Sequence, residues 1–388
     1  DFNAIQIKPA GTSKNRWAAD RVITRFHFDP VFKLSVLAEA RLRDVQGNHQ
    51  LTIGFRPFID LRSSDTYIRY LNKKKRLDWF AGVERRSRFL NRFDFAARYN
   101  ATEVNGGVIY PLNRFLSVGA GGHLVYINRR NMDVFIPRPI DGQDMIASAN
   151  VNLTYDKTRK NRGYVLSGTR ARLDVQNAYS IADGNYNFTT ARLDLRHYIP
   201  IKKVVLATRL ASGWSTGSRE QQFFMGGTQD WLFSRFENTQ DFPIEGEISA
   251  LNYMDYVTPI HGFRFNARNG SKYVTANAEL RIPVSRAFKS YLNSNPLYNF
   301  EVIPFFEVGT TWSQGNPLSQ RNPIDTQTIP SYPLSITVQT LKSPFIMGFG
   351  AGARTMLFGY SVRADLGWAV EDYTILTPRF HLSLGKNF

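Results

Sequence analysis

Residues 259 to 284 read Pro-Ile-His-Gly-Phe-Arg-Phe-Asn-Ala-Arg-Asn-Gly-Ser-Lys-Tyr-Val-Thr-Ala-Asn-Ala-Glu-Leu-Arg-Ile-Pro-Val. The second half alternates without a break. Val274, Ala276, Ala278, Leu280, Ile282 and Val284 share one parity, and Tyr273, Thr275, Asn277, Glu279 and Arg281 share the other. In a strand the two sets point to opposite faces. One face then meets an apolar medium while the other carries a carboxylate and a guanidinium. A soluble core is badly served by such a wall. A barrel with lipid outside and water inside is well served by it. The first half, His261-Gly262-Phe263, forms a tight turn that ends a long polar loop and feeds the strand.

The same alternation recurs along the chain. Residues 1–19 lack periodicity and contain Pro9, Gly11 and Ser13, which reads as a linker. From residue 20 to 388 about sixteen alternating segments follow, an even number as expected of a bacterial outer-membrane barrel. They fall near 20–29, 32–42, 49–59, 64–75, 77–90, 93–110, 115–130, 145–156, 163–178, 186–199, 203–216, 272–284, 298–312, 344–357, 360–370 and 378–388. Segment 145–156 sets Ala147, Ala149, Val151, Leu153 and Tyr155 against Ser148, Asn150, Asn152, Thr154 and Asp156. Long connections at 131–144, 217–271 and 313–343 follow odd-numbered segments, and short ones such as Ile199-Pro200-Ile201-Lys202 follow even-numbered ones. Long surface loops and short periplasmic turns require this parity; only 285–297 is long for a periplasmic turn. A soluble sandwich or propeller is the competing all-β reading. The recurrence of charges on one face of strand after strand argues against it.

Composition narrows the choice further. No run of about 18 to 20 uncharged apolar residues exists, so helices do not span a membrane here. Aromatic residues make up 14% of the chain, enough for interfacial girdles. Cysteine is absent, which removes disulfides and thiolate metal sites. The net charge of +17 would suit nucleic acid. The cations are scattered, however, and the dense runs Lys73-Lys74-Lys75-Arg76 and Lys157-Thr158-Arg159-Lys160-Asn161-Arg162 fall in predicted turns, so no nucleic-acid partner is expected. The chain starts at Asp1 without a leader, as a mature or truncated product would, and export is inferred from the barrel.

Catalysis finds little support. The six histidines are widely separated, and no His-x-x-x-His, Gly-x-Ser-x-Gly or Walker-type loop is present. No catalytic residue and no metal site is expected.

The C-terminal third carries a resemblance. The turn Ile260-His261-Gly262-Phe263 resembles the Val/Ile-Arg-Gly-Phe/Tyr turn in the sixth surface loop of the outer-membrane assembly factor superfamily, the BamA-type bacterial surface antigen barrels. Phe305-Phe306-Glu307-Val308-Gly309 looks like that family's Phe-x-Asp-x-Gly motif, with Glu in place of Asp. Ser361-Val362-Arg363-Ala364-Asp365 is similar to its Arg-x-Asp segment, and Phe223-Phe224-Met225-Gly226-Gly227 to the opening of its sixth loop. The order and spacing agree over residues 204–388. One departure is that His261 stands where the family has Arg.

The resemblance implies a sixteen-stranded antiparallel barrel in the bacterial outer membrane, with loop 217–271 folded back into the lumen. It also implies insertion or translocation of polypeptide through a seam between the first and last strands, without a cofactor. Glu279, Arg281, Glu307, Gly309, Arg363 and Asp365 would line the lumen wall. Carboxylates and cations there can hold a loop by charge-assisted hydrogen bonds. Gly348, Gly350 and Gly352 share the inward parity, as either a seat for the loop or a bend in a curved sheet. His261, Gly262 and Phe263 would form the latch, with Glu307 the nearest carboxylate and Arg264 a candidate for the missing cation. Phe380, Leu382, Leu384 and Phe388 resemble the C-terminal assembly signal of outer-membrane barrels, with Lys386 interrupting their apolar face. Expected partners are outer-membrane lipid and lipopolysaccharide, a polypeptide client, and either other envelope subunits or a missing N-terminal periplasmic domain. The alternatives are a passive, anion-favouring porin and a barrel subunit or export domain of a larger envelope complex.

Overall fold

In the computed structural model, residues 17–385 are described apart from 93–94, 133–140, 162–163, 182–185, 238–249, 285–299, 314, 319–322, 332–333, 342 and 358–359. The expected long turn at 285–297 and the terminal Phe388 therefore lie outside the described residues. The alternating segments are strands, each hydrogen-bonded to the next. They are β1 (Trp17–Asp29), β2 (Lys33–Asp44), β3 (His49–Pro57), β4 (Ser64–Asn72), β5 (Asp78–Arg92), β6 (Phe95–Pro111), β7 (Leu116–Asn131) and β8 (Gly142–Asp156). The second half has β9 (Tyr164–Ser180), β10 (Asn187–Ile201), β11 (Val204–Gly217), β12 (Lys272–Pro283), β13 (Glu301–Trp312), β14 (Ile346–Leu357), β15 (Tyr360–Glu371) and β16 (Arg379–Gly385). With two fragments, Arg159–Asn161 and Thr374–Ile375, they form one antiparallel sheet of 18 strands among the described residues. The first strand begins at Trp17, inside the stretch read as linker, because its ladder with β2 runs back to Trp17 opposite Asp44, with an irregularity between Ala19 and Arg21 that breaks the alternation.

The two faces have the chemistry that the alternation requires. Ile53, Ile68, Val83, Val104, Val151 and Leu173 all stand exposed on the outer face. An exposed apolar band of that extent belongs in hydrocarbon. Along β12 the inward Tyr273, Thr275, Asn277, Glu279 and Arg281 are buried while the outward residues between them are not. The inward residues are covered by chain, chiefly by the long connection between β11 and β12.

Register then aligns side chains from different strands. Arg209, Asn277, Glu307, Gly348 and Ala369 are successive partners across β11 to β15 and form one row. A second row runs through Glu279, Phe305, Gly350 and Gly367, and a third through Ile303, Gly352, Asp365 and His381.

The sheet curls until its ends meet, but they meet differently from the other strands. No ladder joins β1 to β16 among the described residues. The Tyr360 hydroxyl donates to the Thr24 carbonyl at 3.0 Å, and the Phe26 and Tyr360 rings lie 5.7 Å apart. Among the described residues β16 runs from Arg379 to Gly385.

Candidate functional site

The turn at the end of the long connection lies across the first row. The Arg209 guanidinium donates to the Thr258 carbonyl at 2.5 Å, and the Asn277 amide donates to the Pro259 carbonyl at 2.9 Å. One strand further, the His261 backbone N–H donates to Glu307 Oε2 at 2.6 Å, and its Nδ1 lies 2.8 Å from Oε1. The Gly262 N–H donates to His381 Nε2 at 3.0 Å, so that nitrogen carries no proton. Residues 258 to 262 thus cross the strands like a bar, with polar wall side chains meeting the Thr258 and Pro259 carbonyls and the His261 and Gly262 N–H groups, and the Gly227 carbonyl meeting the Ile260 N–H.

His261 is 1% exposed and its second ring nitrogen, Nε2, lies 3.2 Å from Asp365 Oδ2. With a carboxylate at each nitrogen, the ring is held as a double donor. Burial alone would lower its pKa, but the Glu307 and Asp365 charges outweigh that and raise it to about 9. The imidazolium completes a chain of alternating sign. Arg363 Nε bonds Asp365 at 2.8 Å and its Nη1 bonds Glu279 at 2.7 Å, while Arg281 bonds Glu279 at 2.9 Å. Three carboxylates, Glu279, Glu307 and Asp365, face three cations, His261, Arg281 and Arg363. A neutral His261 would leave one buried carboxylate uncompensated, a costly state at low dielectric. A histidine therefore fills this position as a cation.

Glycines make the close approach feasible, though not all in the way their parity suggests. A Cβ on Gly348 would lie 2.6 Å from the His261 carbonyl oxygen, and one on Gly367 would lie 2.7 Å from the His261 Cβ. Gly262, at φ +83°, backs directly onto the main chain at Trp368 and Ala369. A Cβ on Gly309 would lie 2.7 Å from the Met225 sulfur. Gly350 instead makes room for the neighbouring Leu366 carbonyl and the Phe305 ring, and Gly352 for the Asp365 carboxylate. Those two serve the wall's own packing, and the turn rests on Gly348 and Gly367. Arg264 is not part of the cluster: it is partly exposed, 4.0 Å from Glu237. Phe263 is buried with Phe223, Met225, Val257, Ile260, Tyr273 and Ile346 in an apolar cluster beside the charges.

The rest of the connection is built on the same wall. Phe223–Met225 pairs in parallel with Asp255–Val257 and antiparallel with Arg268–Gly270, a small sheet inside the large one. The Arg268 guanidinium reaches Glu371 at 2.8 Å. Arg209, Asn277, Gly367 and His381 contribute to the site and were not singled out from sequence. Inward parity on neighbouring strands was their available signal, but only register puts them in one row. Beside the cluster, a cavity of about 550 Å³ is lined by Arg170, Arg196, Arg209, Arg354 and Arg363 among others.

The Omp85 superfamily domain profile matches residues 72–388, more than three quarters of the chain. The chain belongs to the Omp85 superfamily. Among solved structures, this Omp85 barrel is similar to BamA from Haemophilus ducreyi lacking POTRA domains 1-3, at 13% identity and a TM-score of 0.60, over 96% of this chain and 70% of that one. It is also similar to CdiB from Escherichia coli, at 12% identity and a TM-score of 0.53, over 96% of this chain and 67% of that one. At such identities the likeness speaks for the fold. No curated protein sequence matches the chain. The protein is thus a BamA-type barrel of the bacterial outer membrane, of the class that inserts or translocates polypeptide. Omp85 barrels are insertion and translocation factors rather than enzymes, and they work among lipids and other envelope components.

At the end of this Omp85 chain, Phe380 projects outward and is 61% exposed, while Leu382 and Leu384 are half-buried on the same face. Their backbones form part of the β16 edge that does not pair with β1.

Proposed function

We propose that this Omp85 barrel inserts or moves polypeptide through the seam between β1 and β16. The observation that supports this reading is the difference in strand pairing. Every other neighbouring pair in the series shares a ladder, whereas β1 and β16 share none among the described residues. An edge without a ladder partner can template an incoming strand by main-chain hydrogen bonds. In this reading His261, Gly262 and Phe263 form a latch that keeps the sixth loop, residues 217–271, inside the lumen. The charged wall of Glu279, Arg281, Glu307, Arg363 and Asp365 is its counterpart. Phe380, Leu382, Leu384 and Phe388 form the barrel's own assembly signal, and no catalytic or cofactor role is assigned. Lipid and lipopolysaccharide surround the outer face, and the client arrives from the periplasm, with a soluble N-terminal region or separate subunits delivering it.

Proteoliposomes test this directly. A small outer-membrane barrel, diluted from urea, should reach its heat-modifiable folded form faster in liposomes carrying this protein than in empty ones. In planar bilayers the intact protein should show small, unsteady currents that become large when residues 256–268 are deleted. A large, steady, anion-selective conductance with no acceleration of folding would instead support a passive pore lined by the arginine cavity.

A further inference from the structure

The unladdered edge of β16 is not empty. The Leu232 N–H donates to the Leu382 carbonyl at 2.8 Å, and the Leu384 N–H donates to the Asp230 carbonyl at 3.3 Å. Trp231 and Ser383 are thereby an antiparallel bridge pair. The Trp231 ring is buried inward, 4.2 Å from the His381 ring, and the Thr228 and Ser383 hydroxyls lie 3.4 Å apart. Across the seam, Asp230 Oδ1 sits 2.6 Å from His27 Nδ1 of β1, and Phe233 meets Phe28 edge-on at 6.0 Å. A three-residue piece of the sixth loop thus occupies the position where a strand would pair with β16, wedged between the first and last strands.

We propose that Asp230-Trp231-Leu232 is a built-in occupant of a strand-docking site on β16, and that an extended client segment displaces it. The proposal rests on the seam reading above and adds an autoinhibitory contact to it. Two features make the occupant releasable. Asp230 and Phe233 have φ of +55° and +61°, a region costly for a residue as bulky as Phe, and they limit the extended piece to two residues. The occupant makes two main-chain bonds on an edge running from Arg379 to Gly385, so a longer strand can make more. The fitting partner is an extended polypeptide with an aromatic or other large inward residue opposite Ser383 and apolar outward residues on either side, the pattern of a barrel strand. Tethering gives the loop a local concentration on the order of millimolar, which only a segment with the fuller set of bonds overcomes.

The chain has no cysteine, so one engineered pair can be read without background. Antiparallel partners lie roughly 4.5 to 5.5 Å apart at Cα, within disulfide range. The folded, heat-modifiable double variant Trp231→Cys/Ser383→Cys should oxidise to an internal disulfide, whereas either single variant should not. A folded double variant that stays reduced under oxidant overturns the proposal. A biotinylated peptide of residues 226–235 should bind Leu232→Pro, which lacks the N–H that holds the edge, about tenfold more tightly than it binds wild type. It should not bind the oxidised double variant. Equal binding to all three overturns the proposal even where the disulfide forms. In the liposome assay the reduced double variant should accelerate client folding and the oxidised form should not; equal acceleration by both overturns the autoinhibitory role. If wild type and all variants fail to accelerate folding, the insertion reading falls, and the disulfide and peptide results still decide who occupies the edge.

Discussion

Two of the contacts between the sixth loop and the wall are built differently. At residues 258 to 262 the loop contacts six strands, β11 to β16, buries an imidazolium between two carboxylates and leaves no room for a Cβ at Gly262, Gly348 or Gly367. At residues 230 to 232 it makes two main-chain bonds to the last strand and one side-chain pair to the first, His27–Asp230, that is partly open to solvent. Breaking a buried, hydrogen-bonded charge leaves its partner stranded, whereas breaking a wet pair returns both groups to water. The same loop is therefore anchored firmly at one end and lightly at the other. The proposed opening of the seam with the plug still seated requires that inequality.

The largest effect should follow Glu307→Ala. It strips the His261 N–H of its acceptor and the imidazolium of one of its two carboxylates, and should cost about 3 to 5 kcal/mol, read as a lower urea midpoint for loss of the heat-modifiable form. A loss no greater than that of Asp230→Ala would remove the inequality.

Next comes the lipid face. Val151 is outward and 56% exposed, while Asn152 is inward and half-buried on a wall away from the loop. Val151→Arg should destabilise by about 2 to 4 kcal/mol if it lies at the bilayer midplane, and Asn152→Arg by much less. Equal damage in refolding into liposomes would mean that the two faces are misassigned. Ala278→Arg should behave like Val151→Arg. Sequence parity alone also makes Asn277→Arg harmless. Its amide holds the Pro259 carbonyl, so that substitution should instead weaken the loop.

The firm contact should depend on pH. The folded-state pKa of His261 is raised to about 9 from an ordinary value of 6.5. Its contribution is thus complete below about pH 6.5 and is lost as pH rises through 9. Between pH 7 and 9 the barrel should lose about 2 kcal/mol of stability, and His261→Arg should flatten that slope. A slope unchanged in His261→Arg would show that another group titrates.

The smallest effect belongs to the seam. Asp230→Ala should cost about 1 kcal/mol or less in global stability, yet it should raise hydrogen exchange at the Leu384 amide well above that at His261. Equal exchange at the Leu384 and His261 amides would mean that both contacts release together.

Much of this architecture is legible in the chain itself. Alternation is enough to place the strands, because a strand with lipid on one side and water on the other must alternate at every residue. Segments 49–59 and 64–75 match β3 and β4 to within three residues at each end. Polar starts such as Asp20-Arg21 hide the boundaries, since both faces are polar near the interface. Glu307, Asp365, Gly348 and His261 can be singled out by inward parity and by their resemblance to the family's motifs. The motifs carry no information on what Gly350 and Gly352 make room for.

What the sequence by itself determined is therefore the period, the face of each residue and the existence of a long loop carrying a tight turn. These are local properties, set by the two-residue repeat of a strand and by glycine's tolerance of positive φ. Only the tertiary structure decided that Arg209, Asn277, Glu307, Gly348 and Ala369 form a row under residues 258 to 262, because a row depends on the register of four separate strand pairings. It likewise decided that His261 is a cation, since that follows from two carboxylates on different strands converging on one sealed ring. That Trp231 sits beside Ser383 could not be read in advance either. The two are separated by most of the loop and four strands, and what joins them is a free edge that exists only once the sheet has curled round.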